Sequence, residues 1–225
     1  MKSLKVVLVA AAAAAVLVPV QAESLSYNMG VVSLYKSSGI DQDSRAPEST
    51  RPAIQGGVDY DFSNGFYVGN WNSTGKFGKA NVEIDLYAGY ANELASGLGY
   101  DVGVTRFMYP GAENGGNYNE AHIAFSYGIA TFKATRGLTD AVNKKQSRYS
   151  LTLSQPVNDK VTVNLVLADR NKRGGGHNDF SLGAEYDLGE GMTATAMVAG
   201  AGKKDDGSKP ESHKTRLILG MAKAF

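Results

Sequence analysis

The feature that most constrains this chain is a two-residue alternation of apolar and polar side chains that recurs from one end to the other. It is clearest in "NVEIDLYAGY", where Val82, Ile84, Leu86, Ala88 and Tyr90 share one face and Glu83, Asp85, Tyr87 and Gly89 the other. A period of two sends successive side chains to opposite faces of an extended strand, whereas a helix needs a period near 3.6. The same alternation sets Leu98, Tyr100, Val102 and Val104 against Asp101 and Gly103, and Ala121, Ile123, Phe125 and Tyr127 against Glu120, His122, Ala124 and Ser126. It also sets Phe180, Leu182, Ala184 and Tyr186 against Ser181, Gly183, Glu185 and Asp187. Twelve strands are predicted, over residues 24–36, 53–62, 66–73, 81–91, 98–109, 118–127, 129–137, 146–156, 160–170, 178–188, 192–202 and 213–225. In 66–73 two facings compete, one putting Phe66 and Val68 on the apolar side and the other Tyr67 and Trp71.

The connections sharpen this. Those after the even-numbered strands are short, "SNG", "NELASG", the bend at Gly128, "VND" and "GEG", and those after the odd-numbered strands are longer and polar, over 37–52, 74–80, 110–117, 138–145, 171–177 and 203–212. Tight turns at one end and long loops at the other belong to a bacterial outer-membrane barrel, whose periplasmic turns are short. The strands have the length of about 9–11 residues that a tilted strand needs to cross a bilayer. The expected fold is therefore all-β, a transmembrane antiparallel up-and-down β-barrel of about twelve strands. Tyr60, Phe62, Tyr90, Tyr100, Tyr127, Tyr186 and Phe225 lie on the apolar face near the short turns, and Tyr35, Tyr149 and Phe180 near the other ends, as two aromatic girdles would require. A soluble periplasmic barrel or sandwich, with its apolar faces turned inside, is the alternative.

The ends of the chain fit export. Residues 1–22, "MKSLKVVLVAAAAAAVLVPVQA", combine two lysines, an apolar run and a small-residue site at Val20-Gln21-Ala22, and read as a signal peptide cleaved after Ala22. That leaves residues 23–225 as one outer-membrane β-barrel domain, in the cell outer membrane of a Gram-negative bacterium. The last strand alternates down to Phe225, an aromatic end of the kind by which the barrel-assembly machinery recognises outer-membrane proteins. There is no cysteine, so no disulfide or lipid-anchored cysteine is available. Glycine is 27 of 225 residues, about 12% against an average near 7%, which suits strands and turns. Without Lys2 and Lys5 the balance is 21 basic to 22 acidic side chains, which argues against a nucleic-acid partner.

At "IQGGVDYDFSNGFYVGNWNS", "VEIDLYAGYANEL", "LGYDVGVTRFMYPG" and "NYNEAHIAFSYGI" the sequence resembles the TorF-type porin family of proteobacterial outer-membrane proteins, once filed as a conserved family of unknown function. The resemblance is carried by "EIDLYAGY" followed by "YDVG" and a "YPG" loop, and is looser in the second half. It implies an outer-membrane barrel with a pore, and neither catalytic residues nor a particular solute.

The inward charges can be ranked by height. Glu83, Glu120, Arg148, Arg170 and Arg216 fall toward the outer mouth, Asp85 and Lys133 near the middle, and Asp59, Asp61, Asp101, Glu185 and Asp187 toward the periplasmic end. With His122 these are the expected pore-lining residues, Arg170 excepted. Such an acidic ring concentrates cations, so the expected function is passive diffusion of small hydrophilic solutes with a mild preference for cations. Alternatively Glu120, Lys133 and Arg148, on neighbouring strands, pair across the lumen and close it, giving a barrel with a structural or surface-binding role. Twelve strands lie between side-chain-filled barrels of eight and open porins of sixteen. His122, His177 and His213 lack metal-site spacing. Ser126 stands four residues along the strand from His122, about 13 Å, too far to be activated as a nucleophile. No catalytic, cofactor or metal-binding residue is expected. "NKRGGGH" lacks the phosphate-loop pattern and reads as an outer loop. Its Lys172 and Arg173, with Lys144, Lys145, Lys203 and Lys204, would stand among the phosphates of outer-membrane lipid and lipopolysaccharide.

Overall fold

The alternating segments are strands, because only an extended backbone can keep one face of each in an apolar medium and the other in a polar one. In chain order they are β1 (Ser24–Val32), β2 (Lys36–Ser37), β3 (Ile40–Asp41), β4 (Ala53–Asp61), β5 (Phe66–Phe77), β6 (Ala80–Glu93) and β7 (Gly99–Met108). They continue with β8 (Tyr118–Tyr127), β9 (Ala130–Gly137), β10 (Ser147–Pro156), β11 (Val161–Arg170), β12 (His177–Gly189), β13 (Met192–Ala201) and β14 (Arg216–Ala224). The computed structural model describes residues 23–43, 51–112, 116–138, 146–171, 176–203, 207 and 210–225. The signal-peptide residues 1–22 and the loop cations Lys144, Lys145, Lys172, Arg173 and Lys204 lie outside the described residues.

Twelve of these strands, β1 and β4 to β14, close into a single antiparallel barrel in sequence order. The seam joins β1 to β14, with Asn28 opposite Ala224 and Val32 opposite Gly220. Beside it Phe225 stacks on Tyr27, ring centroids 5.3 Å apart, and donates its N–H to Tyr27 O at 2.9 Å. Leu25, Tyr27, Met29 and Val31 of β1, Ile54 and Val58 of β4, Leu86 of β6, and Leu217, Leu219 and Met221 of β14 all stand exposed on the outside. The inward positions between them are mostly small or polar. Among the described residues no helix is long and apolar enough to cross a membrane, which says nothing about strands.

The strand boundaries differ from the predicted ones where the chain leaves the barrel wall. β1 stops at Val32 rather than 36, because Leu34 and Tyr35 turn inward and are buried. Tyr35 therefore belongs to the interior and not to the outer aromatic girdle. β5 runs on to Phe77 and β6 starts at Ala80, so the expected loop 74–80 is a two-residue turn, Gly78-Lys79. The alternation of short and long connections thus fails at this one place. The last strand begins at Arg216, after a 3-10 turn at Glu211–His213. The competing facings of 66–73 resolve with Phe66 and Val68 exposed and Tyr67 and Trp71 turned inward.

Two inward glycines have a packing reason. A Cβ on Gly69 would run into the ring of Tyr87, and one on Gly89 into Tyr67, since both rings lie flat along the wall over a neighbouring strand. Gly89→Ala is expected to displace Tyr67 and cost about 1–3 kcal/mol, the usual penalty for overpacking. A lower midpoint of urea unfolding in detergent would show it.

Candidate functional site

All twelve candidate lining residues, Asp59, Asp61, Glu83, Asp85, Asp101, Glu120, His122, Lys133, Arg148, Glu185, Asp187 and Arg216, occupy inward positions on their strands, alternating with exposed apolar neighbours. They divide into three levels. At the end carrying the short turns, Asp61 and Asp187 are exposed and Asp59 and Glu185 half-buried, and Tyr87 donates its hydroxyl to Asp59. These four carboxylates keep access to solvent at that end.

Above them is a compact polar cluster. Asp101, only 1% exposed, accepts from the Tyr67 hydroxyl at 2.8 Å and lies 3.0 Å from His122 Nε2. Lys133 stands two strands from Asp101 at the same height, with Ala124 between them in register. Asp85 is buried on β6 at the same inward face, directly across the sheet from Trp71.

The loop end is filled. Ser38 and Gly39 both have positive φ, 49° and 71°, the geometry of a tight two-residue hairpin turn, and they reverse the chain between β2 and β3. This hairpin and the residues before it fold back into the mouth. Tyr35 packs edge-on against Trp71 and joins Val32, Leu34, Ala53, Met197, Ala199 and Ile218 in an internal apolar cluster. Its hydroxyl donates to Glu83 Oε2 at 2.9 Å, while Tyr109 donates to Glu83 Oε1 at 2.7 Å. Lys36, 2% exposed, lies 2.6 Å from Asp41 and donates to Gly39 O and to Ser212 O. Arg170 donates to Ser38 Oγ at 2.9 Å, tying β11 to the hairpin. Of the expected loop 37–52, residues 37–43 are therefore seated inside the mouth, and 44–50 lie outside the described residues.

Arg148 makes a bidentate pair with Asp179, Nε to Oδ2 at 2.9 Å and Nη2 to Oδ1 at 2.6 Å. The anticipated closure by Glu120, Lys133 and Arg148 is thus replaced, for Arg148, by a partner two strands away on β12. Asp179 is the next inward position above Ser181, so continuing that strand's alternation by one step reaches it. Arg216 pairs with Glu211 at 2.8 Å, and Glu211, in the loop, is held below the usual carboxylate range by its hydrogen bond from Lys214 first and by Arg216 beyond it. His177 and His213 meet at a tilt beside the hairpin, ring centroids 4.8 Å apart and planes at 58°, with His213 Nδ1 2.8 Å from Gly202 O. Among the described residues no group of three or more His, Cys, Asp or Glu side chains is arranged to hold a metal ion.

A closed twelve-stranded antiparallel barrel, apolar outside and charged inside, is the fold of a class of outer-membrane porins. It is similar to the KdgM porin, with TM-score 0.62 at 10% identity over 89% of this chain and 98% of that one. It is similar too to an outer membrane channel from Pseudomonas putida F1, with TM-score 0.57 at 11% identity over 92% and 97%, and to the NanC porin, with TM-score 0.53 at 10% identity over 89% and 98%. The KdgM porin has also been solved in complex with disordered oligogalacturonate. The chain belongs to a bacterial family described as "Bacterial protein of unknown function (Gcw_chp)", whose profile matches residues 18–216. A search of curated proteins returned no match.

Proposed function

We propose that this protein is an outer-membrane channel of the TorF-type kind, passing small hydrophilic solutes by diffusion with a preference for cations. The observation that carries the membrane reading is the band of exposed Leu, Val, Ile, Met and aromatic side chains around the outside, which water would not tolerate at this extent. Residues 1–22 supply the export signal, and Phe225, packed on Tyr27 at the seam, is the residue offered to the assembly machinery. Lys203, just beyond the loop-side end of β13, is placed to meet lipopolysaccharide phosphates. Cation preference follows from Asp59, Asp61, Glu185 and Asp187 gathered at the accessible turn end, since rings of carboxylate select for cations. For the same reason a polyanion such as the oligogalacturonate of the KdgM complex is not the solute we assign to this barrel. No step of this function is catalytic.

Protein expressed from the full chain and recovered from membranes in detergent is expected to give discrete current steps in a planar bilayer. In a salt gradient the reversal potential should take the sign of cation flow, and a potential of the opposite sign overturns the preference. One observation favours a second reading, a closed barrel acting in structure or surface binding: the hairpin and the Arg148–Asp179 pair fill the loop end. Silence from protein that shows heat-modifiable gel migration would select it.

A further inference from the structure

The outward face is apolar almost everywhere, and its exceptions differ in kind. On β5 the outward Asn70 and Asn72 hydrogen-bond to each other, and their amides also donate to Asp85 O at 3.2 Å and Gly56 O at 3.4 Å. Those two side chains are satisfied within the wall. On β7 to β9 the outward positions instead carry two exposed cations. Arg106 continues the series Tyr100, Val102, Val104, and Arg136 continues Phe132, Ala134.

Register brings them together. Arg106 stands opposite Asn119, and Arg136 opposite Ala121, two residues further along β8. Two strand spacings and a two-residue offset put the two α-carbons roughly 12 Å apart on one patch of wall. Arg106 Nη1 donates to Asn119 Oδ1 at 3.1 Å, and Arg136 Nη1 to Ser147 Oγ at 2.8 Å, so each guanidinium is held at its place on the wall. The height is fixed by Tyr149, an exposed aromatic opposite Ala134, with the pair Ser147–Arg136 one step nearer the loops. Aromatic girdles mark where hydrocarbon meets headgroups, so the arginines sit at headgroup level on the loop side. Planar guanidinium groups are the side chains best matched to phosphate oxygens.

We propose that the outward patch of Arg106, Asn119 and Arg136 binds the phosphate-bearing headgroup of an anionic lipid in the outer leaflet. The inference rests on the outer-membrane reading and holds whether or not the lumen conducts. The lipid's acyl chains lie along the apolar wall below, over Val104, Ile123 and Phe132, while its phosphates meet the two arginines. The site is a feature of the barrel wall, distinct from the loop cations.

The test is native mass spectrometry of the full-chain product in detergent, titrated with purified lipopolysaccharide. Wild type is expected to retain the lipid, and Arg106→Gln/Arg136→Gln to bind it at least tenfold more weakly. Phosphatase-treated lipopolysaccharide should bind wild type as poorly as the intact lipid binds the variant, and inorganic phosphate at the lipid's concentration should not displace it. Equal binding by the double variant, equal binding of the dephosphorylated lipid, displacement by inorganic phosphate, or cross-links through this patch to a second copy of the chain would each overturn the proposal. Heat-modifiable migration reports the barrel separately, so a folded variant that still binds sinks the lipid site and leaves the barrel standing. Should the double variant not fold, Arg106→Gln alone carries the test, with Arg106→Lys expected to recover part of the affinity.

Discussion

Gly39→Ala is expected to give a several-fold larger unit conductance, because it evicts the hairpin from the mouth of the barrel. Two costs fall on that one position. Its φ of 71° is left-handed, which an L side chain enters at about 1–2 kcal/mol. A Cβ there would also sit on the carbonyl of Gly200, a backbone atom of the wall that cannot rotate away, and against Asp179 Cβ at 2.9 Å. Arg170 to Ser38 Oγ at 2.9 Å and His177 Nε2 at 3.3 Å from Ser38 O hold the tip itself, so lifting the tip releases them together. Gly78→Ala separates the two costs. Gly78 has a similar φ of 64°, yet a Cβ there meets nothing within 4 Å. It should leave the conductance at the wild-type value while carrying the same backbone strain. A Gly39 variant with unchanged current steps would mean that the hairpin does not set the constriction.

The barrel was legible because the period of two is enforced by a medium on each side of every strand. An outward charge or an inward leucine is penalised at each position, so the pattern survives in nearly all twelve strands. The departures from the predicted boundaries occur where neither medium acts. Val31, Val32, Leu34 and Tyr35 supply apolar residues in both phases, so nothing local says that the chain leaves the wall after Val32, and Tyr35 reads equally well as a girdle residue. Only its seat against Trp71 and its bond to Glu83 decide that it is inside. The facing of Tyr67 has the same character: the inward glycines 89 and 103 leave room for its ring, a relation set by cross-strand register and not by spacing along the chain. The inward placement of Arg148 could be read from its own strand, but its partner could not. A pair that spans β10 to β12 depends on the stagger of the closed barrel, which no single strand encodes. Arg106 lies at the other extreme, one step beyond Val104 in a series already apparent.

That Arg148–Asp179 pair is where the largest loss of stability is expected. Both residues are nearly enclosed, 9% and 5% exposed, and two parallel hydrogen bonds fix the guanidinium to the carboxylate. Asp179→Ala removes the compensating charge and leaves a buried cation, at a cost of about 3–5 kcal/mol. Asp179→Asn keeps the shape and one acceptor, so its loss should be smaller. The double change Arg148→Met/Asp179→Leu removes both charges and the desolvation that burying them demands, and should recover most of the stability lost by Asp179→Ala. Urea unfolding of the three variants in one detergent would rank them. If the double variant were as unstable as Asp179→Ala, the loss would come from packing against the hairpin beside Gly39 and not from the stranded charge. If it is recovered but its current differs from wild type, the pair serves the lumen: it holds a cation and an anion at the mouth in mutual neutralisation, leaving the carboxylates of the turn end to set which ions pass.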